Sequence, residues 1–250
     1  MTIKPTRREF IKSAALAGGA LLLPRPRIAG GAPSYAQTEL LHTIRRCGLT
    51  GGLKLCLDAG DANSYSSGQS WLDTSGNGYD FFRGPTVGAE ASDPTFNGTA
   101  GQRASGNYWS CDGGDYFRYD SANETWMQNL HKDNAVLTMV AWVYPTTAGP
   151  IYLWGSSGGT TGSIFYCTSS LLVWLVQNGG ATVLNIFTAA TLNLNAWNFV
   201  AASLTEATGA NGAILQVNGV QGLFTSTYTA PSAASASYTA ELGAAGGGIF

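Results

Sequence analysis

Between Val136 and Val217 the chain is a succession of short runs in which apolar and polar residues alternate, each closed by a turn rich in glycine, asparagine or serine. The runs are Val136 to Tyr144, Ile151 to Trp154, Ser163 to Cys167, Leu171 to Gln177, Thr182 to Thr188, Asn198 to Leu204 and Ala213 to Val217. Successive strand side chains point to opposite faces, so a period of two over such lengths marks strands with one buried face. Strands this short and this regularly spaced build a sandwich or barrel rather than a helical or βαβ protein. Asn218-Gly219, followed by Val220 to Thr225, adds a two-residue hairpin.

The preceding part of the chain follows the same rule more weakly. Leu53 to Asp58 alternates and reads as a first strand, entered from the glycine-containing stretch Gly48 to Gly52. Tyr79 to Arg83, Tyr108 to Cys111 and Tyr116 to Tyr119 are short strand candidates, and Tyr238 to Leu242 is the last. Ser121-Ala122-Asn123-Glu124 is a capping box, and Trp126, Met127 and Leu130 after it predict one short helix. With 33 glycines, seven tryptophans and only 11% charged residues, the composition fits a large β-domain. No internal repeat and no proline-rich linker divides residues 37–250.

The N-terminus obeys a different logic. Lys4, Arg7, Arg8 and Lys12 precede a mild apolar run from Ala14 to Leu23, which Pro24 ends. That run falls well short of the roughly 20 apolar residues that span a bilayer, and no integral membrane span is expected. Thr6-Arg7-Arg8-Glu9-Phe10-Ile11-Lys12 resembles the bacterial twin-arginine export signal, with Arg7, Arg8, Phe10 and Lys12 at its characteristic positions. Ser34-Tyr35-Ala36 has small residues suited to cleavage after Ala36. Residues 1–36 are therefore expected to be a signal peptide, 37–52 a flexible lead-in and 53–250 the domain. The leader holds six basic residues and one acidic one, leaving seven basic and fourteen acidic for the remainder. A mildly acidic domain without clustered Lys/Arg is a poor partner for nucleic acid. The implied location is periplasmic or secreted.

Six segments in order carry a family resemblance: Leu53 to Ala59, Trp71 to Gly78, Cys111 to Tyr116, Leu137 to Pro145, Trp197 to Ala201 and Leu215 to Gly219. Together they resemble the laminin-G-like branch of the concanavalin A-like lectin/glucanase jelly rolls, over roughly residues 50 to 245. The resemblance implies an all-β, two-sheet antiparallel jelly-roll sandwich. Trp142 and Trp197 then read as core anchors, and Cys111, standing where the family has phenylalanine, as a buried apolar position. The family closes with a further strand after Glu241-Leu242-Gly243-Ala244 that returns beside the first strand. Its absence from these 250 residues would leave an open sheet edge for a partner, for self-assembly or for residues 37–50.

The chemistry implied is binding rather than catalysis. Glucanases of the superfamily set carboxylates at alternate positions of one strand to face a common cleft, and no E-x-D-x-x-E pattern occurs here. There is also no G-x-S-x-G elbow, and His42 and His131 stand alone. The resemblance implies a carbohydrate or cell-surface partner, with Tyr152 and Trp154, placed on one face of their strand, and Trp174 as stacking candidates. It also brings calcium into view, with Asp58, Asp61 and Asn63, or Asp73, Asn77 and Asp80, as oxygen ligands. Cys47, Cys56, Cys111 and Cys167 match no metal spacing. In an exported chain Cys47 and Cys56 are the first disulfide pair to test, buried thiols being the other reading. A second functional reading is a phage or prophage virion surface or decoration protein, in which the same jelly roll serves assembly or host attachment.

Overall fold

The computed structural model describes residues 40–104, 106–120, 126–132, 136–168, 171–188, 192–205, 213–223 and 233–248. The expected signal residues Arg7, Arg8, Phe10 and Lys12, the cleavage point after Ala36 and the capping box at 121–124 lie outside them. The elements are a helix α1 (Leu40–Arg46) and strands β1 (Ser70–Trp71), β2 (Phe81–Arg83), β3 (Thr95–Asn97), β4 (Tyr108–Ser110) and β5 (Phe117–Tyr119). They continue with β6 (Val136–Val143), β7 (Ile151–Gly155), β8 (Gly162–Cys167), β9 (Leu172–Asn178) and β10 (Ala181–Thr188). The last are β11 (Asn198–Thr205), β12 (Ala213–Val217), β13 (Val220–Leu223) and β14 (Glu241–Leu242). Among the described residues no helix is long and apolar enough to cross a membrane.

The described residues divide into two compact units, one within 40–80 and 96–109, the other within 81–95 and 110–248. The second is the expected antiparallel two-sheet sandwich. In one sheet the strands run β2-β5-β14-β7-β8-β9-β10, and in the other β13-β12-β11-β6. β12 lies across β9 and β10, so the inward rows of the two sheets meet. Phe165, Trp174 and Ile186 stand opposite one another across β8, β9 and β10. Val200 and Val217, and Ala202 and Leu215, stand opposite one another across β11 and β12. All seven are buried, and full burial of a large apolar side chain contributes about 1.5–3 kcal/mol.

The seven strong runs of the sequence all form strands, β6 to β12, within a residue or two of the expected ends. Two other expectations change. The segment after the capping box is a single 3-10 turn at Met127–Asn129. It is tied down by His131, whose Nε2 donates to the Ala234 carbonyl at 3.0 Å, and by Asn129, whose Oδ1 accepts the Ala236 N–H at 2.9 Å. Leu53 to Asp58 is no strand. In its place the turn after Asp73 satisfies that segment's backbone. Asn77 Nδ2 donates to the carbonyls of Leu53 and Lys54 at 3.1 and 3.0 Å, and Asp73 Oδ1 accepts the Cys56 N–H at 2.9 Å. A side-chain cradle replaces the ladder because the turn residues offer the donors and acceptors that a neighbouring strand would.

The short strand β14 closes the larger sheet. Glu241 pairs with Arg118 of β5 on one side and with Gly155 of β7 on the other. Its carboxylate is fully buried and receives Arg118 at 3.0 and 2.7 Å on Oε1 and the Gly248 N–H at 2.9 Å on Oε2. Gly155 lets the chain after β14 approach, for a Cβ there would stand 2.2 Å from the Ala245 carbonyl carbon. We therefore expect Gly155→Ala and Glu241→Ala each to lower unfolding stability by about 2–4 kcal/mol, by overpacking and by orphaning a partly buried guanidinium. Urea denaturation measures this, and midpoints equal to wild type would remove β14 as the closing strand.

Candidate functional site

The strand β7 shows why the expected stacking residues do not form a surface. Tyr152 stands opposite Tyr166, and Trp154 opposite Phe165, with Leu153 bulged between them. Tyr166 and Phe165 are consecutive and face opposite ways, so the bulge turns Trp154 away from the face that Tyr152 occupies. Trp154 is 3% exposed and Trp174 1% exposed, and the Phe165 and Trp174 rings lie 5.7 Å apart in the core. Both tryptophans are core residues, a correction to the sequence expectation. Tyr152 is half-buried beside the Tyr166 ring at 5.7 Å.

The calcium candidates are occupied by the chain itself. Asp58 Oδ1 accepts the Gly60 N–H at 2.9 Å, and its Oδ2 the Leu40 N–H at 3.2 Å. Asp61 Oδ1 accepts both the backbone and the side-chain N–H of Asn63 at 2.9 and 3.1 Å. Asp73 takes the N–H groups of Cys56, Ser75 and Tyr79, while Asp80 accepts the Asp73 N–H at 2.8 Å. These are Asx-type caps in loops. Among the described residues no group of three or more His, Cys, Asp or Glu is placed to hold a metal ion.

All four cysteines are free thiols, so the Cys47–Cys56 bridge is not formed. Cys111 is exposed rather than buried, whereas Cys56 and Cys167 are buried. Burial pushes the Cys56 thiol up to about 11, and the Cys167 thiol up to about 12.

An exposed aromatic pair lies at one end of the β6–β11 pair. Trp197, taken from the sequence as a core anchor, is 48% exposed, and Tyr144 is 46% exposed. Their rings meet edge to face, 5.5 Å between centroids at 68°. One step along the same face Trp142 and Phe199, directly opposite in register, make a second such contact at 5.6 Å and 63°. Leu194, 42% exposed, belongs to the same loop. Edge-to-face contacts of this kind add about 0.5–1.5 kcal/mol beyond burial and fix ring orientation.

The loop that carries Trp197 is held rigidly. Asn198 is fully buried, and its amide makes four bonds. Oδ1 accepts Asn193 N–H and Asn218 Nδ2, both at 2.9 Å, while Nδ2 donates to the carbonyls of Asn193 and Ala196 at 2.9 and 2.8 Å. Asn218, at φ 51° in the Asn-Gly hairpin, also accepts the Phe199 N–H at 3.0 Å through its side chain. Asn195, at φ 54°, donates its N–H to the Pro145 carbonyl at 2.8 Å, joining the Trp197 loop to the residue after Tyr144. A buried amide with all four groups satisfied pins the backbone on both sides of Trp197. The Asn218-Gly219 signal was legible in the sequence. Its link to Trp197 through Asn198 was not.

No family model matches the chain, and no curated protein does. Solved structures do. The chain is similar to the binding domain of botulinum neurotoxin DC in complex with SialylT, at 13% identity and TM-score 0.48, over 72% of this chain and 44% of that one. It is similar to the same domain in complex with rat synaptotagmin II, at 13% identity and TM-score 0.48, over 73% of this chain and 44% of that one. The botulinum neurotoxin type G receptor binding domain gives 13% identity and TM-score 0.44, over 71% and 41%. The chain spans less than half the length of these solved chains.

The thiol arrangement is directly testable. In the native protein at pH 8, Cys56 and Cys167 are expected to stay unmodified by a chromogenic disulfide reagent, since both are buried and neutral there. Peptide mapping identifies the labelled sites, and all four cysteines should label after unfolding without reductant. Native labelling of Cys167, or a thiol count that rises only with reductant, would contradict the arrangement.

Proposed function

We propose that the chain is an exported, non-catalytic binding module of the laminin-G-like type, recognising a neutral glycan through Trp197 and Tyr144. The observation that carries this reading is the exposed, edge-to-face Trp197–Tyr144 pair on a loop braced by a buried asparagine. Tryptophan and tyrosine supply large, rigid contact area at low entropic cost, and a braced loop removes the ordering cost of binding. Pyranose rings present apolar C–H faces that suit such a corner, with one ring under the sugar and the other against its edge. The segments 136–149 and 192–205 contain no charged residue, which favours a neutral ligand over a sialylated or sulfated one. The carboxylates of Asp58, Asp61, Asp73 and Glu241 are engaged by the protein's own donors.

Export rests on the leader: Arg7 and Arg8 with Phe10 and Lys12 direct a folded chain through the twin-arginine route, and the mature protein starts at Gln37. Mass spectrometry of protein recovered from the periplasm or medium should give that N-terminus, and an intact Met1 there would remove the signal-peptide reading. For the ligand, a glycan array gives the class, and titration of the best neutral oligosaccharide compares variants. Trp197→Ala should weaken binding roughly 30-fold or more, as loss of an aromatic hot spot does. Trp174→Ala should instead lower stability, by about 3–5 kcal/mol. A chain that binds no glycan in calcium or in chelator sinks the lectin reading, as does a Trp197→Ala variant that binds like wild type.

A further inference from the structure

The segment that leads into β14 is described from residue 233, and its first residues form neither helix nor strand. Ala233, Ala234 and Ser235 are exposed, yet His131, which is bonded to Ala234, is fully buried. Side chains reaching from a single turn hold these residues. His131 Nε2 donates to the Ala234 carbonyl at 3.0 Å, Asn129 Oδ1 accepts the Ala236 N–H at 2.9 Å, and Lys132 Nζ donates to Ser235 Oγ at 3.4 Å. From Ser237 onward the anchorage is through the backbone. The Ser237 N–H donates to the Thr161 carbonyl at 2.8 Å, and the Tyr238 N–H to the Ser156 carbonyl at 3.1 Å. Residues 233–236 thus lie as a strap across the 3-10 turn, with a hinge where the backbone bonds begin.

The imidazole is the buried member of this contact. With Nε2 donating, Nδ1 carries no proton, and it has no hydrogen-bond partner. A second proton has to go to that atom, inside the protein and next to a cation. Burial holds the His131 ring below the ordinary imidazole range, and Lys132 adds to the effect. The carbonyls of Ala234 and Gln128 act in the opposite sense, and among the described residues no carboxylate acts on the ring. β8, which lies against the turn, brings only Tyr166 and Cys167 as ionisable groups. Burial pushes both of them up, so they stay neutral in mild acid. Residues 233–237 have no ionisable side chain.

We propose that residues 233–236 are an acid-released strap, closed over a neutral His131 and opened when that ring takes a second proton. Opening wets the imidazole and frees the Ala234 carbonyl and the Ala236 N–H, while the pins at Ser237 and Tyr238 stay in place. In the open form the ring has its ordinary affinity for protons, with a pKa of about 6.5. The closed form binds the proton more weakly, so acid favours opening. Closure has its full advantage above about pH 6.5 and loses it as the pH falls below that value. The device is separate from the Trp197 platform and does not rest on the binding-module reading.

Amide exchange of the whole chain tests the strap, each rate being compared with that of an unstructured peptide at the same pH. Protection of the Ala236 N–H should fall roughly tenfold between about pH 7.5 and about pH 5, while protection of the Tyr238 N–H holds. His131→Gln keeps a side-chain N–H for the Ala234 carbonyl but takes up no proton. Its Ala236 protection should therefore be the same at both pH values. The wild-type imidazole, followed by NMR through its carbon-bound protons, gives a readout that needs no variant. It should titrate at lower pH in the folded protein than in the urea-unfolded chain, over the range in which Ala236 loses protection. Ala236 protection that is independent of pH in wild type overturns the proposal, and so does a loss that persists in His131→Gln. A folded His131 that titrates at or above its unfolded value does the same. An equal loss at Tyr238 also overturns it, because the whole segment rather than the strap is then opening.

Discussion

The larger sheet is closed with the help of one partly buried ion pair between residues 123 positions apart, Arg118 and Glu241. β14 has two residues, and backbone bonds on either side, Tyr119 N–H to Ala240 at 2.9 Å and Gly243 N–H to Tyr152 at 3.1 Å, help to hold it in place. What fixes it is the Glu241 carboxylate, enclosed completely and met by a forked guanidinium on one side and the Gly248 N–H on the other. Arg118 is placed in turn by Tyr116, whose hydroxyl accepts its N–H at 3.2 Å and whose ring lies 5.3 Å beneath it. Without this clamp, β2 and β5 would be parted from β7 to β10. A buried charge is a costly way to join strands, and it tolerates no substitute that lacks the partner's hydrogen bonds. The return is a defined register at the sheet's narrowest point.

Much of the sandwich was legible because it follows from period alone. From β6 to β12 the alternation is strong and the turns carry Gly or Asn where a positive φ is needed, as at Asn218 and Gly219. Where the reading failed, a local hydrogen-bonding device outweighed the period. Leu53 to Asp58 alternates like a strand, but Asp73, Ser75 and Asn77 engage its backbone before any ladder forms. In β7 the two-residue rule put Tyr152 and Trp154 on one face, and a single bulged residue reverses that. A bulge leaves no mark in the composition of so short a run. The rule was sound, and its register was wrong.

The site was less legible than the fold, for a related reason. Tryptophans in a sandwich divide between core and surface according to face, and face is set by register. Trp154 and Trp174 fell inward while Trp197 fell outward. The acidic residues posed a similar ambiguity. Asp58, Asp61, Asp73 and Asp80 are spaced like cation ligands, yet the same spacing suits Asx caps, and the glycines and asparagines among them favour the turn. What braces the Trp197 platform is Asn198. A polar residue opening the run Phe199-Val200-Ala201-Ala202 calls for a structural use, and four satisfied bonds are that use.

The smaller sheet carries the surface on which ligand binding is proposed. A ligand platform needs side chains that stay exposed but do not move, which is why Trp197 stands on a loop braced from beneath. In the larger sheet Trp154, Phe165 and Trp174 are committed to the core. That core holds the smaller sheet from behind. A sheet supported on one face can carry such a platform at its end, because the platform lies apart from the inward row of Val200, Ala202, Leu215 and Val217 on which the sheet rests.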